Sequence, residues 1–149
     1  MSYVQSLYHV VICTKHRAMT INNENKTHLY KYIWGIINKS SCKLIKMNGI
    51  PNHIHMLIEL HSTVAISDIV RDIKRASSHY AKVNDLFPLF NGWSAEYAAF
   101  TCSYSMKDKV IDYILNQEVH HGKESFELEY KRLAVLHGMK YYEPSSNDV

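Results

Sequence analysis

The chain has 149 residues, 46% of them hydrophobic and 21% charged, with a formal net charge of +3. That length suits one domain with a sizeable core, and the apolar-to-charged balance excludes a disordered chain. The charge is too mild to argue for a nucleic-acid partner by itself, and no apolar run approaches the roughly 20 residues of a membrane helix. Cys13, Cys42 and Cys102 are widely spaced, odd in number and form no Cys-x-x-Cys pair, which disfavours a disulfide framework or a zinc knuckle. The opening Met1-Ser2-Tyr3-Val4-Gln5 lacks the basic and apolar regions of a secretory leader, so a reduced cytoplasmic setting is expected.

Tyr3 to Thr14 reads as a strand with two fairly apolar faces, because Val10 and Ile12 alternate with His9, Val11 and Cys13. A helix is predicted from Asn23 to Ser40, where Leu29, Tyr32, Ile33, Ile36 and Ile37 share one face. Cys42 to Met47 reads as a short strand ended by a turn at Asn48-Gly49. His53 to Leu60 is the next strand, with Ile54, Met56, Ile58 and Leu60 on one side and His53, His55, Leu57 and Glu59 on the other. Ile66 to Val83 is a second helix, 85–92 a loop, and Trp93 to Tyr104 an aromatic strand. Ser105 to Asp108 resembles a capping box opening a helix to His121, with Gly122 after it. A last helix spans Ser125 to His137 and stops at Gly138; residues 138–149 read as a tail or docking arm. The order β-α-β-β-α-β-α-α gives an α+β, ferredoxin-like split β-α-β sandwich: an antiparallel sheet with helices packed on it, plus C-terminal helices. No linker or repeat divides residues 1–149, so one domain is expected.

Three constellations could carry chemistry. His53 and His55 stand at i and i+2 of a strand, so both rings leave the same face. Two ligands of one metal ion need that placement, and so do two exposed strand histidines. Tyr113 and Gln117 stack four residues apart on a helix, with His120 and His121 close to the same stripe. By spacing alone this pair is more often plain surface. Arg71, Lys74, Arg75 and Lys82 form a basic helix stripe, with Lys15 and Arg17 elsewhere. The stripe suits phosphate binding, or a solvated face on which Asp68 and Asp72 answer Arg71 and Arg75. A glycine-rich phosphate loop, a Gly-x-Ser-x-Gly elbow and a His-Glu-x-x-His helix are all missing, which removes the corresponding hydrolases.

Five segments in order give the chain a family likeness. Tyr8 to Val11 with Thr14 to Arg17, Pro51 to Ile58, the aromatic run with Trp93, Tyr97, Ala99-Phe100 and Ser103, and Tyr113 to Glu118 followed by His120-His121, Ser125-Phe126 and Glu129 resemble the one-tyrosine HUH single-strand DNA transposases of small bacterial insertion sequences. The aromatic run departs from the family pattern at Ser94, Glu96 and Ala98. The resemblance implies Tyr113 as nucleophile and His53, His55 and Gln117 as ligands of Mg²⁺ or Mn²⁺. It implies cleavage and rejoining of single-stranded DNA at hairpin ends through a 5′-phosphotyrosine, by a bacterial cytoplasmic homodimer whose subunits share active sites. Lys15, Arg17, Arg71, Lys74 and Arg75 are the expected DNA contacts. The rival readings are another HUH nickase, a non-catalytic nucleic-acid-binding module on the same fold, and a small metal-binding protein.

Overall fold

The computed structural model describes residues 2–117 and 126–139. Its elements are β1 (Leu7–Thr14), α1 (Lys26–Lys39), β2 (Lys43–Ile50), β3 (His53–Glu59), α2 (Ile66–Val83), β4 (Trp93–Cys102), α3 (Lys107–Leu115) and α4 (Phe126–Leu136). The four strands form one sheet in the order β2-β3-β1-β4, antiparallel throughout. This is the ferredoxin-like arrangement that the element order predicts. Among the described residues, no helix is long and apolar enough to cross a membrane.

Period-two alternation explains why the central strands are apolar on both sides. Val10 and Ile12 of β1 and Ile54, Met56 and Ile58 of β3 enter the main core, with Leu29, Ile33 and Ile37 of α1 and Ile69, Val70 and Ile73 of α2. On the other face, Leu7 and Leu57 pack against Val110 and Ile114 of α3. Beside them, Val11 and Phe100 pack against Leu133 of α4. His9, His53 and His55 leave the sheet on this second face, which α3 and α4 roof.

Several expected boundaries move. β1 begins at Leu7 rather than Tyr3, and α1 at Lys26 rather than Asn23. Asn48-Gly49 is not a turn: β2 runs through it, with Gly49 opposite Ile54, and the chain reverses at Pro51-Asn52. Both residues have other work. The Asn48 amide donates to the Ile114 and Leu115 carbonyls at 3.0 and 3.2 Å, tying down the end of α3. A Cβ on Gly49 would collide with the His53 carbonyl and lie 3.0 Å from the Ile54 Cα. The capping box also fails. Ser105 Oγ meets Ser103 Oγ at 2.9 Å, and Met106 caps α3 without a side-chain bond. α4 does stop at Gly138, whose φ of 70° lets Met139 N–H close on the Ala134 carbonyl at 2.8 Å. His120, His121, Gly122 and Ser125, and the tail from residue 140, lie outside the described residues.

Candidate active site

The start of β3 is pinned from two directions. Thr14 N–H donates to the Asn52 carbonyl at 2.9 Å, while Thr20 and Ile21 N–H donate to the Pro51 carbonyl. From there His53 and His55 project two residues apart, as strand spacing requires. They are not exposed: their relative accessibilities are 1% and 0%. Glu129 on α4, itself 2% exposed, reaches both. His55 Nε2 lies 2.9 Å from Glu129 Oε1, and His53 Nε2 faces Oε2 at 3.1 Å, outside hydrogen-bond geometry.

These three residues fit a divalent cation. Their candidate ligand atoms all lie within 4.8 Å of one another, and all three residues are buried. The two N···O separations match the ~3.0 Å edge between adjacent ligands held at about 2.1 Å around a small octahedral cation. Two nitrogens and a carboxylate suit Mg²⁺ or Mn²⁺ in part, and Zn²⁺ as well.

α3 brings Tyr113 to the same place. Its ring centroid is 5.8 Å from that of His55 and 6.0 Å from that of His9. The Tyr113 hydroxyl donates to Glu129 Oε1 at 3.3 Å. Burial pushes this phenol above its ordinary range, the Glu129 carboxylate pushes it further, and a hydrogen bond from Gln117 pulls the other way. Gln117 is buried and its amide donates to the Tyr113 carbonyl at 3.2 Å. It therefore lies beside the tyrosine, whereas the carboxylate that meets the two histidines is Glu129. The nearby Cys13 thiol is pushed up to about 11, mainly by burial, so it is a poor rival nucleophile.

Three residues of this network escape sequence reasoning as site residues: His9, Glu129 and His137. His9 Nε2 meets His55 Nδ1 at 2.8 Å, and His9 Nδ1 meets His137 Nε2 at 2.8 Å. Burial first, then the neighbouring His55 and His137 rings, hold His9 well below the usual histidine range, so it is neutral at neutral pH. The available signals were a polar residue inside an apolar strand, for His9, and an i, i+4, i+8 stripe. Glu129, Leu133 and His137 form that stripe on one face of α4 and its end.

The basic residues divide. A groove of about 600 Å³ between α2 and β4 gathers Lys15, Arg71, Lys74, Arg75 and Lys82, with Trp93 and Tyr97 in its walls. Sequence position separates Lys15 from the α2 stripe; the fold joins them. Arg71 is held by Asp68 and Asp72, each at 3.2 Å. The Lys74 ammonium is engaged by the Ser94, Ala95 and Glu96 carbonyls at 2.8, 3.0 and 3.2 Å, and burial lowers its pKa. It clamps the start of β4 rather than offering an open cation. Arg17 lines a separate hollow beside Cys13 and Tyr130.

Comparison with known proteins is consistent with this geometry. The family pattern described as "Transposase IS200 like" matches residues 2–117. The ISDra2 transposase TnpA of Deinococcus radiodurans is 28% identical over 128 residues, covering 82% of this chain and 89% of that protein. Two solved structures share the fold. A protein from Deinococcus radiodurans described as a candidate transposase gives a TM-score of 0.61 at 24% identity, covering 78% of this chain and 95% of its own. A REP-associated tyrosine transposase bound to a REP hairpin gives 0.64 at 18% identity, covering 82% and 72%.

Proposed function

Since the chain belongs to the IS200-like transposase family, we propose that it cleaves and rejoins single-stranded DNA through a covalent phosphotyrosine on Tyr113. One observation carries this reading: a tyrosine hydroxyl, two imidazoles and a carboxylate converge in a buried site. The nucleophile is Tyr113. Its oxygen forms a bond to the scissile phosphorus, the bond from phosphorus to the 3′ oxygen breaks, and a free 3′-OH is released. Glu129 Oε1, which already accepts the phenolic hydrogen bond, is placed to receive the phenolic proton, and the departing 3′ oxygen takes a proton from water. Because the phosphotyrosine keeps the energy of the broken ester, a 3′-OH on another strand can reverse the step and rejoin DNA.

His53, His55 and Glu129 would hold a divalent cation, with Gln117 as the further oxygen ligand that the family likeness implies. When bound, that ion supplies positive charge for the crowded phosphate and offsets the field of Glu129 on the phenol. The groove between α2 and β4 binds DNA phosphates through Lys15, Arg75 and Lys82, and Tyr97, 39% exposed, offers a ring for an unpaired base. The hairpin held by the REP-associated relative supports a hairpin end as the substrate here. Within a single chain Tyr113 stands beside its own histidines, and action in cis predicts that mixed Tyr113→Phe and His53→Ala chains stay inactive. Exchange of tyrosines between subunits of a homodimer predicts instead that mixed Tyr113→Phe and His53→Ala chains recover activity.

The test uses oligonucleotides from the ends of the element encoding the chain. Incubation with Mg²⁺ or Mn²⁺ should yield a protein–DNA adduct on a denaturing gel, lost with EDTA and with Tyr113→Phe. Retarded DNA on a native gel with no adduct under any divalent ion would overturn the catalytic reading and leave a binding module.

A further inference from the structure

The two HUH histidines have different backing. His53 Nδ1 lies 2.6 Å from Asn52 Oδ1. A carboxamide oxygen only accepts, so His53 carries its proton on Nδ1 and turns the Nε2 lone pair toward Glu129. His55 presents the same edge to Glu129, but its Nδ1 faces His9, which has one nitrogen to accept and one to donate. His9 is fully buried, with its second nitrogen on His137 at 2.8 Å. The Phe100 ring stacks on His137 at 4.8 Å and 5°, so the far end of the chain of rings is also held. Three imidazoles thus run in line from the edge of α4 to the centre of the site.

We propose that His9 is a positioning residue for the cation site: it accepts the Nδ1 proton of His55 and so presents the Nε2 lone pair. This rests on the reading of His53, His55 and Glu129 as cation ligands. The direction of the chain follows from bond counting. A cation on His55 Nε2 requires the proton on Nδ1; His9 Nε2 then accepts it, and His9 Nδ1–H donates to His137 Nε2. In the cation-free form His55 Nε2–H can donate to Glu129, and every bond in the chain runs the opposite way. Each ring keeps one proton in both forms, so the reversal takes up one proton at the half-buried His137 and releases one at His55. Asn52 does for His53 with a fixed acceptor what His9 does for His55 with a reversible one.

The test uses the full chain as wild type, His9→Phe and His9→Gln. Free Mn²⁺ is followed by electron paramagnetic resonance during titration. His55 is followed by two-bond ¹H–¹⁵N spectra of the Mg²⁺-saturated protein, which distinguish the ring tautomers. Expected are an Nδ1–H His55 in the loaded wild type, Mn²⁺ binding about 10–100-fold weaker in His9→Phe, and recovery of most of that loss in His9→Gln. An Nε2–H His55 in the loaded wild type overturns the proposal even if His9→Phe does not fold. Wild-type Mn²⁺ affinity in a folded His9→Phe, or His9→Gln as weak as His9→Phe, also overturns it. A wild type that binds no Mn²⁺ removes the cation-site reading itself, an outcome distinct from all of these.

Discussion

Glu129→Gln should raise stability without metal and remove the stability that metal confers. The glutamine oxygen can still accept from His55 Nε2–H and the Tyr113 hydroxyl, now 2.9 and 3.3 Å from Oε1. Its amide N–H can donate to the His53 Nε2 lone pair, where Oε2 now stands at 3.1 Å. Two charge-assisted bonds become neutral ones, a loss of about 1 kcal/mol each. Against that, a carboxylate 2% exposed is no longer buried as a charge, and that effective penalty is several kcal/mol. The balance is about 1–3 kcal/mol in favour of glutamine, or a melting temperature roughly 3–10 °C higher at this chain length. Divalent cation at a hundredfold excess over Kd stabilises the wild type by about 2.7 kcal/mol, and should leave the variant nearly unmoved. Thermal unfolding followed by circular dichroism, in EDTA and in excess Mn²⁺, reads both effects. A variant less stable than wild type in EDTA would refute the reasoning. It would mean that Glu129 is paired with a protonated imidazole, whose orphaning costs about 3–5 kcal/mol.

Ser77→Ala should cost about 1–3 kcal/mol in urea unfolding, because it strands the buried Trp93 indole N–H that Ser77 Oγ accepts at 3.0 Å; adding Trp93→Phe should return part of the loss, a coupling visible in a double-mutant cycle. Gly49→Ala should destabilise by about 1–3 kcal/mol and weaken Mn²⁺ binding, since the new Cβ presses on the His53 backbone. Lys82→Ala should lower hairpin affinity and flatten its salt dependence, with an unchanged melting temperature. Lys74→Met should instead lower the melting temperature by freeing three carbonyls at the start of β4.

What the sequence made legible follows from what each residue was asked to do. α2 was read to its final residue because its apolar stripe and its ends agree, and the two faces of β3 follow from alternation alone. Asn48-Gly49 misled because its residues favour turns in isolation, whereas here one ties down α3 and the other admits a passing backbone. The two histidines and Tyr113 were singled out by spacing, their roles came from the family likeness, and their proximity needed the fold. His9 becomes a neighbour of His55 only through the β1–β3 register, in which Val11 faces His55 and His9 faces Leu57. Glu129 acquires its meaning only when α4 docks on that face. Lys74 had the composition of a surface cation, and only its three carbonyl partners show otherwise.

The two faces of the sheet can be inherited separately. The larger core, and the groove with Lys15, Arg75 and Lys82, are built from residues up to β4. The chemical centre needs α3 and α4 as well, and its outermost link joins residues 128 positions apart. On the proposed function, a gene copy that loses its 3′ portion to a frameshift would give up the cutting centre first and keep the groove proposed to grip DNA. Such a product would occupy the hairpin ends that an intact copy must reach. Decay of one element would then become a brake on its siblings, a form of self-restraint set by where two helices sit.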